Sequence, residues 1–325
     1  MILVFTLYAL FASAFTVLKG ALEYASPFFI VGSRMTLAGI LMIGYAALRY
    51  PTALALHHAS FIRILLLGFF NIFLTNILEV WGLQYLTSFK TCFLYSLTPF
   101  LTALLSYFLL QEVLTKRKWL GLIIGFVGFW PIIAQQSHTE LSAGALWAFS
   151  LPELAVFCAV LSSVFGWILL QQLVHADQCP PVVANGYSML FGGILATCLS
   201  LLCEPWNPIP VSNYPIWIET SLFLIIVSNI MAYNLYGYLL KRFSPTFLAF
   251  AGLSTNLFTA LFGWLFHGEI IGPPFFISLT IVFLGLFIFY FEEISSRGRE
   301  KAAPEEKRVE EPPRLIIPRE PSVPT

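Results

Sequence analysis

Ten apolar segments, each close to the length that crosses a lipid bilayer, occupy most of the 325-residue chain. A membrane-spanning helix needs about 20 predominantly apolar residues. The segments are Ile2–Leu18, Phe28–Leu48, Ile62–Leu83, Ser88–Leu110, Trp119–Ala134, Pro152–Gln172, Val182–Leu202, Trp217–Leu240, Pro245–Phe266 and Pro274–Phe291. Since helices satisfy all their backbone polar groups inside lipid, these lengths predict an all-α integral membrane protein with ten transmembrane helices.

Charged residues are scarce in the part of the chain that carries these segments. There are 17 basic and 17 acidic residues, and 15 of these 34 lie between Glu292 and Thr325. Charged residues make up 10% of the whole chain, against about 25% in a soluble domain. The composition excludes an ordinary soluble enzyme and a nucleic-acid-binding protein. Residues 292–325, which are charged and rich in proline, are predicted to form a disordered cytoplasmic tail.

The loops between the segments predict the orientation of the chain. Lysine and arginine concentrate in the loops on the cytoplasmic side of a membrane. Seven basic residues fall in loops on one side, whereas only Lys19 and Lys90 fall on the other. This asymmetry predicts that both termini are cytoplasmic, which agrees with an even number of spans.

The two halves of the segment pattern resemble each other at an offset of 157 residues. Thr102-Ala103-Leu104 then aligns with Thr259-Ala260-Leu261, Glu112 with Glu269, and Gly128 with Gly285. Each half has five spans, so the second half is predicted to be inverted in the membrane. Inverted repeats, here 1–138 and 139–291, are typical of secondary transporters whose substrate site lies between the repeats.

An ordered set of residues in the first half resembles the EamA domain of the drug/metabolite transporter superfamily. A Ser/Thr-x-x-Pro bend falls at Ser96–Pro99, and the second half repeats the glutamate and glycine but has Asn256 in place of the proline. The remaining residues of the set are Phe15, Lys19, Pro27, Arg34, Trp81–Leu86, Glu112 and Gly121. The resemblance covers residues 3–291.

The resemblance implies a secondary transporter of a small metabolite in a bacterial inner membrane. Within the superfamily, the chain is most similar to members that carry S-adenosylmethionine and S-adenosylhomocysteine. This similarity implies uptake of S-adenosylmethionine in exchange for S-adenosylhomocysteine. Export of amino acids or drugs, as in other members, is the alternative.

Three ionisable residues inside the predicted spans are candidates for substrate binding: Arg34, Glu79 and Lys90. An ionisable side chain within the bilayer costs at least about 2.5–3.5 kcal/mol and is a functional candidate by default. In one hypothesis Arg34 or Lys90 binds a substrate carboxylate, and Glu79 binds an ammonium group. The alternatives are a Glu79–Lys90 ion pair, a Lys90 that reaches the membrane surface, and a structural Arg34.

Amide side chains form a second group of candidates. Asn76 lies three residues before Glu79 and shares its helical face, and Asn229 and Asn234 occupy the corresponding stretch of the second half. They are predicted either to line a central cavity or to form hydrogen bonds between helices, each worth roughly 0.6 kcal/mol.

Four aromatic residues complete the candidate site: Phe15, Tyr95, Trp167 and Tyr233. Aromatic faces can stack on adenine and attract a sulfonium ion. Many aromatic side chains in membrane proteins instead lie at the lipid interface, which is the alternative for each of these.

Two further patterns concern helix packing. Pro99 removes a backbone hydrogen bond in the fourth span and predicts a bend there. Gly121, Gly125 and Gly128 predict close approach of the fifth span to a neighbour, either within the bundle or in a homodimer. Glu112 and Glu269, at span ends, are expected to be structural.

Other functional classes have little support in the sequence. There is no phosphate-binding loop for ATP, no metal-ligand or cofactor motif and no catalytic motif of an intramembrane enzyme. A scaffold or receptor would leave the polar residues at mid-membrane depth without a purpose. A secondary transporter that binds a small molecule within the lipid bilayer is therefore expected.

Overall fold

The computed structural model describes residues 2–54, 58–110, 115–134, 136–147, 149–243, 248–249, 251–268 and 272–302. In the first half, the helices are α1 (Ile2–Ala21), α2 (Pro27–Arg49), α3 (His58–Leu67), α4 (Thr75–Tyr85), α5 (Ser88–Leu94), α6 (Thr98–Leu110), α7 (Lys116–Val127) and α8 (Trp130–Ile133). A short 3₁₀ turn, Pro51–Leu54, follows α2. A π-helical segment, Gly68–Leu74, joins α3 to α4.

A short connector and a second set of helices follow. The connector contains α9 (His138–Ser142) and a two-stranded antiparallel hairpin, β1 (Ala145–Leu146) and β2 (Phe149–Ser150). The later helices are α10 (Leu151–His175), α11 (Pro181–Cys203), α12 (Tyr214–Phe223), α13 (Tyr233–Leu240), α14 (Ser254–His267) and α15 (Pro273–Ala302). A second π-helical segment, Leu224–Ala232, joins α12 to α13.

Six continuous helices in the described parts of the chain are long and apolar enough to cross a membrane. They are Ile2–Ala21, Pro27–Arg49, Ser60–Tyr85, Leu151–His175, Pro181–Cys203 and Tyr214–Leu240. Large apolar side chains such as Leu37, Ile40 and Leu41 face outward, where lipid would cover them. The chain is therefore a multi-pass membrane protein, as predicted.

The α-helix is interrupted just before Pro99, where the sequence predicts a bend. The α-helical pattern stops at a 3₁₀ turn, Tyr95–Leu97, and resumes at Thr98. Proline has no amide hydrogen to donate to the carbonyl of Tyr95, and the Thr98 hydroxyl donates to that oxygen at 2.6 Å.

Close helix packing depends on glycine, as predicted for the fifth span. A β-carbon added to Gly121 would lie 2.6 Å from the carbonyl oxygen of Gly285, on α15. Gly128 faces Ile281 and Val282 of the same helix. These glycines pack within the bundle, which is the first of the two predicted alternatives.

The helix pairs follow a regular scheme. Helix α2 packs on α11, and α7 packs on α15. Helix α4 packs on α10, and α1 packs on the second π segment. In the order of the ten predicted segments, these are the pairs 2–7, 5–10, 3–6 and 1–8. Exchange of the two predicted halves turns each of the first two pairs into itself and the third pair into the fourth. When the first π segment is shifted by the 157-residue offset, it falls within the second one.

The two ends of the bundle can be told apart by their contacts. At one end, the Lys19 amine donates to three carbonyl oxygens at the end of α4, at 2.7–3.2 Å. At the other, a ring nitrogen of His175, which ends α10, lies 2.7 Å from the carbonyl oxygen of Leu240, which ends α13. We call these the Lys19 end and the His175 end.

The last helix is longer than predicted. The apolar segment was expected to end at Phe291, but α15 continues to Ala302. Good helix formers such as Glu300 and Lys301 continue the helix, and the first proline of the tail comes only at Pro304. Residues 292–302 are therefore helical, contrary to the predicted disorder, and 303–325 lie outside the described residues.

Substitution of Gly39 by leucine should destabilise the bundle. A β-carbon there would lie 2.5 Å from the backbone nitrogen of Leu190, so α2 and α11 must separate. We expect a loss of about 1–3 kcal/mol or more, visible as a lower apparent melting temperature in detergent. Gly44→Leu is the matched control, since Gly44 lies on the same helix with nothing within 4 Å of its β position. Equal melting temperatures for the two variants would contradict the packing role of Gly39.

Candidate functional site

A cavity in the centre of the bundle collects most of the predicted site residues. The cavity and its opening hold about 940 Å³ of atom-free space, part of which is open to the surroundings. Helices α1, α2, α4, α10 and α13 contribute to its wall. Seven of the predicted residues line it: Phe15, Arg34, Asn76, Glu79, Tyr95, Trp167 and Tyr233.

Arg34 is held in place by amide groups from two other helical segments. Its two terminal nitrogens donate to the side-chain oxygens of Asn76 at 2.6 Å and Asn229 at 3.1 Å. The Asn229 amide donates in turn to the Arg34 carbonyl at 3.3 Å. Arg34 is 3% exposed, and its Nε has no hydrogen-bond partner among the described residues. A buried charge is costly, so an anionic ligand group in the cavity would stabilise the guanidinium.

Glu79 provides negative charge on the cavity wall. Its carboxylate accepts a hydrogen bond from the Tyr95 hydroxyl at 2.5 Å. None of the cationic side chains that the structure describes lies within 4 Å of it. The predicted alternative, an ion pair with Lys90, is therefore wrong. Among the described lining residues, Glu79 provides a carboxylate and Arg34 provides a guanidinium. The cavity therefore carries both signs of charge.

The aromatic residues of the wall form two contacts. Phe15 packs edge-on against Tyr95, with ring centroids 5.5 Å apart. Trp167 lies against Tyr236, with centroids 4.0 Å apart and planes 31° apart, and is 5.4 Å from Tyr233. Such faces can hold a flat aromatic ligand or a cation.

The first π segment places polar groups on the same wall. The Thr75 hydroxyl and the Ser162 hydroxyl both donate to the carbonyl of Phe70, at 2.8 and 2.7 Å, within the widened turn. The Asn76 amide donates to the carbonyls of Asn71 and Ile72. The side-chain oxygen of Asn71, which lines the cavity, is buried without a partner in the described structure. π-Helical turns are frequent at functional sites.

Two predicted amides lie behind the cavity wall. Asn229 supports Arg34 as described, and Asn234 donates to the carbonyl of Ile230 at 2.7 Å and accepts from Asn185 at 3.3 Å. Both residues thus form the hydrogen bonds that were the alternative to a cavity position. Their side chains contact neighbouring helices and do not face the cavity, so they hold the helices of the wall in place.

Lys90 lies outside the cavity, contrary to the hypothesis that it faces the substrate. Its amine contacts the carboxylates of Glu140 at 2.7 Å and Glu153 at 2.8 Å, and all three side chains are at most 5% exposed. Glu140 is on the short helix α9 of the connector, and Glu153 closes a capping box with Ser150 at the start of α10. The connector folds back over α5, so the lysine is buried and neutralised there by the two carboxylates.

Several lining residues were missed in the sequence. Thr98, Ser163 and Tyr236 lie three or four residues from a predicted lining residue on the same helical face, so helical spacing would have found them. Thr255 belongs to a stretch with no candidate nearby. Glu112 and Glu269, expected to be structural, lie outside the described residues.

Removal of Lys90 alone should destabilise the protein strongly. Lys90→Met leaves two buried carboxylates without their cation, which costs about 3–5 kcal/mol for a broken buried pair. The triple variant Lys90→Met, Glu140→Gln, Glu153→Gln removes all three charges and should recover much of the melting temperature. A triple variant no more stable than the single one would contradict the charge-pairing role.

Comparison with known proteins identifies the family. The sequence profile of the EamA-like transporter family matches residues 1–134 and 150–291. The chain is 37% identical over 285 residues to the S-adenosylmethionine/S-adenosylhomocysteine transporter of Chlamydia muridarum, covering 87% of this chain and 89% of that one. It is 36% identical to the transporter of the same name in Chlamydia trachomatis serovar L2, covering 87% and 86% of the two chains.

One solved crystal structure has the same fold, with a TM-score of 0.63 at 17% identity, and covers 93% of this chain and 97% of that one. The profile matches span most of the chain, and the resemblance inferred from Arg34, Pro99 and the ordered glycines is confirmed. The chain belongs to the EamA-like transporter family.

Proposed function

We propose that this protein takes up S-adenosylmethionine across a bacterial inner membrane in exchange for S-adenosylhomocysteine. The observation that carries the proposal is the central cavity, which combines Arg34, Glu79 and an aromatic cluster around Trp167. The chlamydial relatives named for these two substrates share 36–37% of their residues with this chain over most of its length.

The chemistry of the cavity matches that of the substrate. S-adenosylmethionine carries a purine, a sulfonium, an ammonium and a carboxylate group. Arg34 can attract the carboxylate through the charge of its guanidinium, and Glu79 can balance a positive charge. The rings of Trp167, Tyr233 and Tyr236 suit the purine.

Transport follows from two inverted five-helix repeats, 1–138 and 139–291, that move against each other around the cavity. Ten spans with both termini in the cytoplasm place the Lys19 end outside and the His175 end inside. The exchange symmetry of the helix pairs and the matching π segments support this arrangement. So do the separate profile matches to 1–134 and 150–291. Access would alternate between the two ends, with the substrate near the midplane.

Exchange of one substrate for the other provides the driving force. The sequence contains no loop for ATP hydrolysis. Among the described lining residues, the carboxylate is that of Glu79, and it serves as the counter-charge of a cationic substrate. Exchange of S-adenosylmethionine for S-adenosylhomocysteine is driven by the gradients of the two substrates, so it needs no further residue that carries a proton.

Export of an amino acid is the second candidate. Arg34 and the unpaired oxygen of Asn71 offer a donor and an acceptor to an α-carboxylate and an α-ammonium group. An amino acid alone would leave the ring cluster at Trp167 without a partner. Transport of labelled methionine, with no competition by S-adenosylhomocysteine, would favour this candidate.

Glu79→Gln should impair uptake of S-adenosylmethionine while leaving the protein folded. Loss of one charged partner, about 2 kcal/mol, corresponds to a roughly 30-fold higher KM. Uptake of radiolabelled substrate into proteoliposomes measures this. Glu23→Gln, which removes an exposed carboxylate at the same end of the bundle, is the control. Unchanged kinetics for Glu79→Gln would refute the assigned role.

Proteoliposomes loaded with S-adenosylhomocysteine should take up external labelled S-adenosylmethionine at least about tenfold faster than empty ones, since exchange avoids the return of an empty carrier. An uncoupler should leave the rate unchanged. A rate that collapses with the uncoupler and ignores internal S-adenosylhomocysteine would indicate proton coupling instead.

A further inference from the structure

The central cavity is elongated along α1. Its lining residues on this helix extend from Tyr8 to Leu18. Ten residues of α-helix rise about 15 Å, so the cavity is long enough for an extended ligand. A ligand that fills it can meet different chemistry at the two ends.

The end of the cavity towards Lys19 is charged. Phe15 lies one helical turn before Lys19, whose amine binds the end of α4, and Glu79 lies on that same helix. The Glu79 carboxylate is paired with the Tyr95 hydroxyl, and Tyr95 rests on Phe15. Arg34 is hydrogen-bonded to Asn76, one turn before Glu79 on α4, and so lies on the wall beside Glu79. We call this the charged end.

The end of the cavity towards His175 is aromatic. Trp167 lies two turns before the end of α10, and Tyr236 one turn before the end of α13. These two rings are in contact, Tyr233 lies beside Trp167, and Tyr8 is near the start of α1. The charged side chains among the described lining residues are Arg34 and Glu79, and Arg34 is bonded to Asn76 on the helix that carries Glu79.

We propose that S-adenosylmethionine binds in one orientation, with its adenine at the aromatic end and its sulfonium amino acid at the charged end. The inference rests on the proposed function and adds the position of each part of the substrate. Adenine stacks on Trp167, as bases do on exposed aromatic faces. The positive charge faces Glu79 and the carboxylate faces Arg34, so each charge meets its opposite.

The reverse orientation is unfavourable for a physical reason. With the sulfonium amino acid at the aromatic end, the rings would attract its positive charge. Its carboxylate, however, would then be buried among rings, away from the guanidinium of Arg34. The neutral adenine would meanwhile leave Glu79 and Arg34 without charged partners in the ligand. Both ends of the cavity therefore favour the same orientation.

Two fragments of the substrate provide the test, since each should use one end of the cavity. S-methylmethionine has the sulfonium and the amino acid but no nucleoside, and 5′-methylthioadenosine has the nucleoside but no charge. Both are used as competitors of S-adenosylmethionine uptake in proteoliposomes of the full chain. The variants are Glu79→Gln and Trp167→Leu. Leucine removes the ring but keeps an apolar side chain, so that the protein folds. Trp264→Leu, at a ring that is 60% exposed, is the control.

A crossed pattern is expected. Glu79→Gln should weaken inhibition by S-methylmethionine at least about tenfold and leave inhibition by 5′-methylthioadenosine unchanged. Trp167→Leu should weaken inhibition by 5′-methylthioadenosine at least about fivefold and leave S-methylmethionine unchanged. Trp264→Leu should alter neither.

Equal losses for both fragments in either variant, or the reverse pairing, would overturn the orientation. So would wild-type uptake that neither fragment inhibits at about a thousand times the KM for S-adenosylmethionine, since each end would then lack independent affinity. Failure of the proposed function gives a different result, because the wild-type protein would not transport S-adenosylmethionine at all.

Discussion

The buried guanidinium of Arg34 is the interaction on which the rest of the site depends. A charge inside a membrane protein must be surrounded by polar groups, because lipid offers none. Asn76 supplies one acceptor, Asn229 another, and the Asn229 amide returns a bond to the backbone of Arg34. These contacts join α2 to α4 and to the second π-helical segment, which lie in the first and second halves of the sequence. The cavity is therefore built across the boundary between the halves.

The two π-helical segments explain how amides reach this position. A π turn releases carbonyl groups from the regular pattern, and each released carbonyl needs a new donor. In the first segment, hydroxyls of Thr75 and Ser162 supply donors to Phe70. The second segment contains Asn229 itself. Irregular backbone of this kind is tolerated at membrane depth where it faces protein or a polar cavity, and here it does both.

Much of this arrangement could be predicted because membrane insertion leaves few choices. Arg34, Glu79 and Asn76 are polar groups in apolar segments, so they had to face the interior, and they line the cavity. Lys90 follows the same rule, yet its partners come from a connector whose path is not encoded in any periodic pattern. The position of Lys90 in an apolar segment therefore predicts that its charge is buried. The site of its ion pairs depends on the fold of the acidic connector, which the sequence pattern does not show.

The π segments and the length of the last helix could not be predicted. A π turn has no composition of its own, and it depends on donors such as Ser162 that come from a distant helix. The helix α15 passes the end of its apolar run because the charged residues that follow are good helix formers, so polarity alone did not mark its end.

The most direct measurement is an experimental density map of the protein in lipid nanodiscs with S-adenosylmethionine bound, beside a map without ligand. The expected result is ligand density in the central cavity, in contact with Arg34, Glu79 and Trp167. Density at another site, with the central cavity the same in both maps, would contradict the assignment of this cavity as the transport site.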